Sequence, residues 1–228
     1  MKIITRSAND TLYAMMKSCF TGDHEFQQVK SYDGWIEAYT FLLDTLSKDQ
    51  GMIVIMDEDC FVTDEKAIDG IIEYMHARKY HVAGVPDGGV IPHRQNSWSN
   101  VNPFFMIVDT SVIAPMLSQR NHIQLATYFP EIFYNKPDFV TAPFDHNYFE
   151  PFAGLLYWLY DNFNVLFLNA RQHEDGISTI IIDRDEYPFA VHTWYSREYN
   201  VDEFHTRRIN SIYRGHIVTG KQIGRAHV

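Results

Sequence analysis

Along the first half of the chain, apolar positions recur with two periods, one of strands and one of helices. Lys2–Thr5 (KIIT) is a short apolar run suited to a buried first strand. From Thr11 to Phe20, Leu12, Met15, Met16 and Cys19 fall on one helical face, and Asp10 is placed to cap that helix. Phe26–Val29 reads as a second strand. Asp33 opens a helix to Ser47, with Trp35, Ile36, Tyr39, Leu42, Leu43 and Leu46 at helical spacing. Met52–Met56 (MIVIM) is an unbroken apolar run after Gly51, the pattern of a parallel strand covered on both faces. It stops abruptly at Asp57-Glu58-Asp59. A helix over Asp64–Arg78 turns Ile68, Ile71, Ile72 and Met75 inward, His81–Val85 forms the next strand, and Pro86-Asp87-Gly88-Gly89 closes it.

The second half is less regular. Phe104–Val108 and Asn164–Leu168 read as strands and Glu150–Tyr160 as a helix, with Pro151 at its first position. Ser178–Ile182 and Phe189–His192 are further strands, His173-Glu174-Asp175 is a polar turn between strands, and Val201–Tyr213 is a closing helix. This alternation predicts an α/β sheet. At 228 residues the chain can bury one full-sized core, so a single domain over 1–222 is expected. The last six residues, IGRAHV (223–228), match one reading frame of a common sequencing-adapter oligonucleotide and are read as a non-native tail. That leaves the natural C-terminus open beyond Gln222.

Charge narrows the partners. The net charge of −10, from 29 acidic and 19 basic residues, argues against broad binding to nucleic acid, which needs a basic surface. A small anionic substrate would need a local cation to screen it. Cys19 and Cys60 are too few for a disulfide framework and lack zinc-type spacing, as expected in a reducing cytoplasm. The opening MKIITRSAND turns polar too soon for a signal peptide. The most apolar stretch, Pro151–Leu168, is interrupted by Asp161, Asn162 and Asn164, so no transmembrane segment is expected.

The acidic triplet gains meaning from its place. Ligands of open α/β sheets collect beyond the carboxyl ends of strands, where Asp57 and Asp59 stand. Two carboxylates one residue apart can share a hard cation such as Mn²⁺ or Mg²⁺, which would neutralise a diphosphate and support its departure. The competing reading is a solvated acidic turn capping the next helix. Further along, Gly88 and Gly89 permit close backbone approach, and Asp87, Arg94 and Asn96 are candidates to bind sugar hydroxyls or phosphate. Trp98, Trp158 and Trp194 serve either as core residues or as stacking faces for a sugar.

The opening KIITRS, the mid-chain IVIMDEDCF and the late AVHTWYSR together resemble, in pattern and order, the nucleotide-sugar transferases of the GT-A fold. The resemblance implies a Rossmann-like, mixed and mostly parallel sheet flanked by helices, and a metal-dependent glycosyltransferase using a nucleotide-sugar donor with a glycan, lipid or protein acceptor. It places the metal on Asp57, Asp59 and His192, with Asp59 the more direct aspartate and Glu58 turned away or holding the loop. It makes Thr5, Arg6 and Ser7 candidates for the nucleotide. The segment Asp145–Phe152 resembles the acceptor-side loop, so an inverting enzyme would draw its catalytic base from Glu150 or Asp145, with Glu150 favoured. His192 could equally be a core histidine, and Arg6 a plain surface arginine.

No Walker or G-x-G-x-x-G loop appears, nor H-E-x-x-H or G-x-S-x-G, which removes P-loop, dinucleotide, zinc-protease and serine-hydrolase signals. A sugar-phosphate nucleotidyltransferase shares a similar sheet, but its glycine-rich, lysine-bearing opening loop is missing. A degenerate domain that binds a glycan or protein is the non-enzymatic alternative, suggested by the short gap between the first strand and the acidic triplet.

Overall fold

The computed structural model describes residues 1–31, 34–129, 137–146 and 150–223. Along the chain come β1 (Lys2–Ser7), α1 (Asp10–Lys17), β2 (Glu25–Lys30), α2 (Trp35–Leu46), β3 (Met52–Met56), β4 (Cys60–Val62), α3 (Glu65–Arg78), β5 (Val82–Pro86), β6 (Val101–Asp109) and α4 (Thr110–Leu117). They are followed by α5 (His122–Ala126), α6 (Ala153–Asn162), β7 (Val165–Phe167), β8 (Asn169–Gln172), β9 (Thr179–Ile182), β10 (Pro188–His192), a 3-10 turn (Ser196–Glu198) and α7 (Glu203–Ile223). Among the described residues no helix is long and apolar enough to cross a membrane.

Six strands form one sheet in the order β2-β1-β3-β6-β5-β7. The pairs β1–β2, β1–β3 and β5–β7 are parallel, while β6 runs antiparallel to both β3 and β5. The fold is therefore α/β with a mixed, mostly parallel sheet flanked by helices. Strand alternation sends successive side chains to opposite faces. Val54 and Met56 of β3 pack with α1, α3 and the second sheet, while Ile53 and Ile55 pack with α2, α4 and α6. Both faces of β3 are thus covered, as its unbroken apolar run predicts.

A second sheet, β4-β10-β9-β8, is antiparallel throughout. Its members β4 and β8 escape a reading by periodicity because β4 has three residues and β8 is polar (NARQ). Helix α4 escapes it too, since Pro115 lies within it; Asp109 caps it instead by accepting from Ser111 N.

Helix starts also differ from expectation. Asn9, not Asp10, caps α1, its side chain accepting from Thr11 N at 3.0 Å and Leu12 N at 3.2 Å. Asp10 instead pairs with Lys30 and Gln28. Asp64, read as the first helical residue of α3, is instead its cap, accepting from Lys66 N. Asp33, read as the cap of α2, lies outside the described residues, and so does the Trp35 side chain. Pro151 is not the first helical residue: α6 begins at Ala153. The closing helix starts at Glu203, two residues later than Val201.

Candidate metal centre and its cleft

Strand β3 ends where Asp57 N donates to Phe104 O at 3.0 Å, the last step of its ladder with β6. Cys60 N then donates to Asp57 O at 3.1 Å, closing a four-residue turn over the acidic triplet. The chain continues directly into β4, which pairs antiparallel with β10 so that Cys60 faces His192. This short ladder brings the histidine to the aspartates. His192 Nε2 lies 3.1 Å from Asp59 Oδ1 and 3.7 Å from Asp57 Oδ2. One ligand atom from each of the three residues falls within 4.8 Å of the others.

The pieces are held firmly. Thr193 donates from Oγ1 to Asp59 Oδ2 at 3.0 Å, and from its backbone N to Asp59 O at 3.0 Å. The His192 ring stacks on Phe104 at 4.3 Å and 6°, and its Nδ1 is buried without a hydrogen-bond partner. Asp59 and His192 are buried, whereas the Asp57 side chain is 37% exposed. Burial pushes the Asp57 carboxyl above its ordinary range, against the pull of His192 and with the repulsion of Asp59 added. Burial acts on Asp59 in the same direction, but His192 and Thr193 outweigh it and hold that carboxyl low.

Glu58 points the other way. Its Oε2 accepts from Ser7 Oγ at 2.6 Å and from Asn9 N at 2.9 Å. Burial pushes its carboxyl up to about 7, against those two bonds. Glu58 thus holds the β1–α1 turn.

Two carboxylate oxygens and an imidazole nitrogen, from two distant parts of the chain, converge beside an open cleft. That donor set fits a hard or borderline divalent cation, and three protein ligands leave coordination positions for a substrate. The cleft has a volume of about 820 Å³. One wall comes from Arg6, Ser7, Asn9, Ser31 and the start of α2; a second from His93, Arg94, Asn102 and Glu150–Phe152; a third from Trp194 to Val201.

The other candidates from sequence fall around this cleft in different ways. Asp87 is buried and accepts at Oδ1 from Arg94 Nη2 (2.6 Å) and Nε (2.9 Å), with Asn102 on the same oxygen, and at Oδ2 from Asn96 (2.6 Å). Arg94 also reaches Glu150 Oε1 at 3.1 Å, an oxygen that Asn96 contacts at 3.3 Å. Arg94 and Glu150 line the cleft, while Asp87 and Asn96 stand behind them. Gly88 is pressed against backbone: a Cβ there would lie 1.8 Å from Asn96 O. Gly89 adopts φ +77°, and neither glycine lines the cleft. Thr5 is buried behind Arg6 and Ser7, with its Oγ1 unpartnered. Asp145 is exposed and off the cleft wall, its backbone N donating to Gln95 O at 2.7 Å. Asn147, Tyr148 and Phe149 of the same segment lie outside the described residues. Trp98 and Trp158 are core residues, and Trp194 lines the cleft.

Trp194, a stacking candidate in sequence, stands in a cleft wall whose other parts carried no sequence signal. Trp194 and Tyr195 follow the metal segment in left-handed backbone, φ +59° and +60°, an outlier conformation for bulky side chains. Arg94 lies over the Trp194 ring at 4.7 Å, and Trp194 Nε1 donates to Thr179 Oγ1 at 2.9 Å. Arg208 of α7, itself buried, donates to Trp194 O at 2.9 Å, Ser178 Oγ at 2.7 Å and Asp175 Oδ2 at 3.1 Å. The closing helix therefore clamps the segment that carries His192. Only an unpaired arginine inside an amphipathic helix could have hinted at this.

No protein-family model matches the chain, and no curated protein matches it in sequence. Solved structures resemble it remotely. Protein A197 from STIV is 10% identical, with 82% of this chain and 92% of that chain covered and a TM-score of 0.41. A protein assigned as a glucose-1-phosphate thymidylyltransferase from Bacillus anthracis, in complex with a sucrose, is 11% identical, with 93% and 75% covered and a TM-score of 0.38. These likenesses are too distant to bear on chemistry, which rests on the geometry of the cleft itself.

Proposed function

We propose that the protein is a metal-dependent glycosyltransferase of GT-A-like fold, moving a sugar from a nucleotide-diphosphate donor to a hydroxyl of a glycan, lipid or protein. The observation that carries this reading is the convergence of Asp57, Asp59 and His192 on one point beside an 820 Å³ cleft. Mn²⁺ or Mg²⁺ bound there would neutralise the diphosphate and support its departure. Asp59 and His192 are fixed by Thr193 and Phe104, so they would hold the ion in a preset geometry. Arg6 and Arg197 line the same cleft close enough to Asp57 to act on its charge, and so would face the diphosphate. Arg94 and Glu150 offer a donor and an acceptor to sugar hydroxyls. A nucleotidyltransferase is disfavoured, because Glu58 ties the short Ser7–Asn9 turn where that chemistry needs a flexible glycine-rich loop.

Thermal unfolding with Mn²⁺ and UDP, GDP, ADP or CDP tests the site. A metal-dependent rise with one base is expected, and its absence with all four favours a glycan- or protein-binding module instead. Donor hydrolysis should collapse in Asp59→Ala. Full activity in that variant means the metal assignment is wrong.

A further inference from the structure

We propose that His93 is the general base of the transfer, which therefore inverts the anomeric centre; this rests on the glycosyl-transfer reading above. His93 lines the cleft, its ring 5.7 Å from Trp194 and 6.3 Å from Tyr195. The same Trp194 ring meets the metal ligand His192 at 4.2 Å. Two imidazoles thus flank one indole. The anomeric carbon is bonded to the diphosphate's own oxygen, so it lies close to the metal ligands and within reach of this aromatic cluster.

The competing carboxylates other than Glu198 are occupied or misplaced. Glu150 Oε1 already receives Arg94 and Asn96, and Asp87 is buried under three donor residues. Glu58 is tied to Ser7 and Asn9, and Asp145 is off the cleft wall. Glu198 also lines the cleft, from the 3-10 turn, and is the rival that the Glu198→Gln variant below separates from His93. By contrast, no hydrogen bond engages either His93 ring nitrogen among the described residues. Burial, with Arg94 adding to it and Asp175 opposing, lowers the His93 pKa, the direction that favours a ring able to accept a proton.

The step balances simply. The acceptor oxygen bonds to the anomeric carbon as its proton passes to a His93 ring nitrogen. The carbon–oxygen bond to the diphosphate breaks, and its electron pair leaves with the nucleoside diphosphate. Nothing is oxidised or reduced.

Hydrolysis of UDP-, GDP-, ADP- and CDP-sugars with Mn²⁺ tests this with water as the acceptor, before any natural acceptor is known. His93→Ala and His93→Gln should lower kcat about a hundredfold or more, the usual worth of a positioned base. Both should keep the wild-type melting shift with Mn²⁺ and nucleoside diphosphate, which separates lost chemistry from lost folding or binding. Added imidazole should restore part of the His93→Ala rate, and NMR of the released sugar should show inversion. Hydrolysis within about threefold of wild type in both variants, well short of a base's contribution, overturns the proposal. So does retention of configuration, or a selective kcat loss in Glu150→Gln or Glu198→Gln while the His93 variants stay active. A wild-type protein that turns over no donor overturns the transferase reading and His93 with it. Turnover lost in Asp59→Ala but kept in His93→Ala sinks His93 alone.

Discussion

Two clusters of carboxylates face one cleft and solve their charge in opposite ways. Around Asp87 the protein supplies its own cation: Arg94 bridges Asp87 and Glu150, and Asn96 and Asn102 fill the remaining acceptor positions. Around Asp59 the hydrogen-bonding partners are His192 and Thr193, Arg6 and Arg197 act only at longer range on the second carboxylate, Asp57, and Asp57 is brought to the same point. A cluster that closes on itself has a structural job and an edge to offer to hydroxyls. A cluster left short of positive charge is arranged for an ion from outside. On the proposed reading, the difference puts the ion on one side of the cleft and polar recognition on the other.

The sharpest break in this contrast is Arg94→Met. It leaves Asp87 buried without its cation, and loss of one partner of a buried pair costs about 3 kcal/mol or more. Chemical denaturation should show that loss at pH 7 with or without Mn²⁺. Asp59→Asn should behave in the opposite way. Without metal it should lose less stability than Arg94→Met, because the amide oxygen can still accept from Thr193 and relief of repulsion from Asp57 offsets part of the lost pairing with His192. With Mn²⁺ at a hundred times its dissociation constant, wild type should gain about 2.7 kcal/mol and the variant almost nothing. Equal gains in both proteins would place the ion elsewhere.

How far the sequence reveals each cluster follows from the same physics. Strand β3 and its acidic end are legible because a strand covered on both faces must be apolar throughout, so charge at its end stands out. The odd role of Glu58 comes from the family resemblance, not from periodicity, because the triplet sits in a turn and Glu58 is drawn off by Ser7 and Asn9. His192 is placed by a three-residue ladder with β4, and so short a strand leaves almost no pattern of its own. The Asp87 network reads in sequence as a loop of possible ligands, because a buried carboxylate and an exposed one are spelled alike. Its glycines look ready for a ligand, yet Gly88 makes room for the chain's own Asn96 carbonyl. Trp194 is legible only as one of three tryptophans, and His93 and Arg208 were invisible for the same reason: their partners are long-range contacts, set by where the second sheet meets the first.

Arg208 links the metal side to the closing helix, and its loss should have an intermediate effect. Arg208→Leu frees Trp194 O and Asp175, loosening the segment after His192. Removing such an outer support typically weakens metal binding about tenfold or more. Titration of Mn²⁺ against the melting temperature should show weaker binding with the same limiting shift. An unchanged midpoint would confine Arg208 to fold stability.

The smallest effects lie in the pH response, where two aspartates of the metal side should differ in sign. Burial works to raise the Asp175 carboxyl, but Ser178, Ile177 and Arg208 outweigh it and hold it below its ordinary value. A depressed folded pKa adds stability that is complete above the unfolded value of about 4 and fades as pH falls through the folded one. The advantage of wild type over Asp175→Asn should thus be constant from neutrality to mild acid and shrink below it. Asp57 is raised by burial, so its charge opposes folding in the metal-free protein, and its contribution is lost as pH rises through the folded value. Asp57→Asn should therefore gain on wild type as pH rises from the ordinary aspartate range to neutrality, and Mn²⁺ should erase that gain by stabilising only the wild type. Urea denaturation of both pairs across that range, with and without Mn²⁺, decides it. A loss of metal-free stability in Asp57→Asn at neutral pH would mean that His192 already neutralises the pair, and that the cluster by Asp59 is as self-sufficient as the one by Asp87.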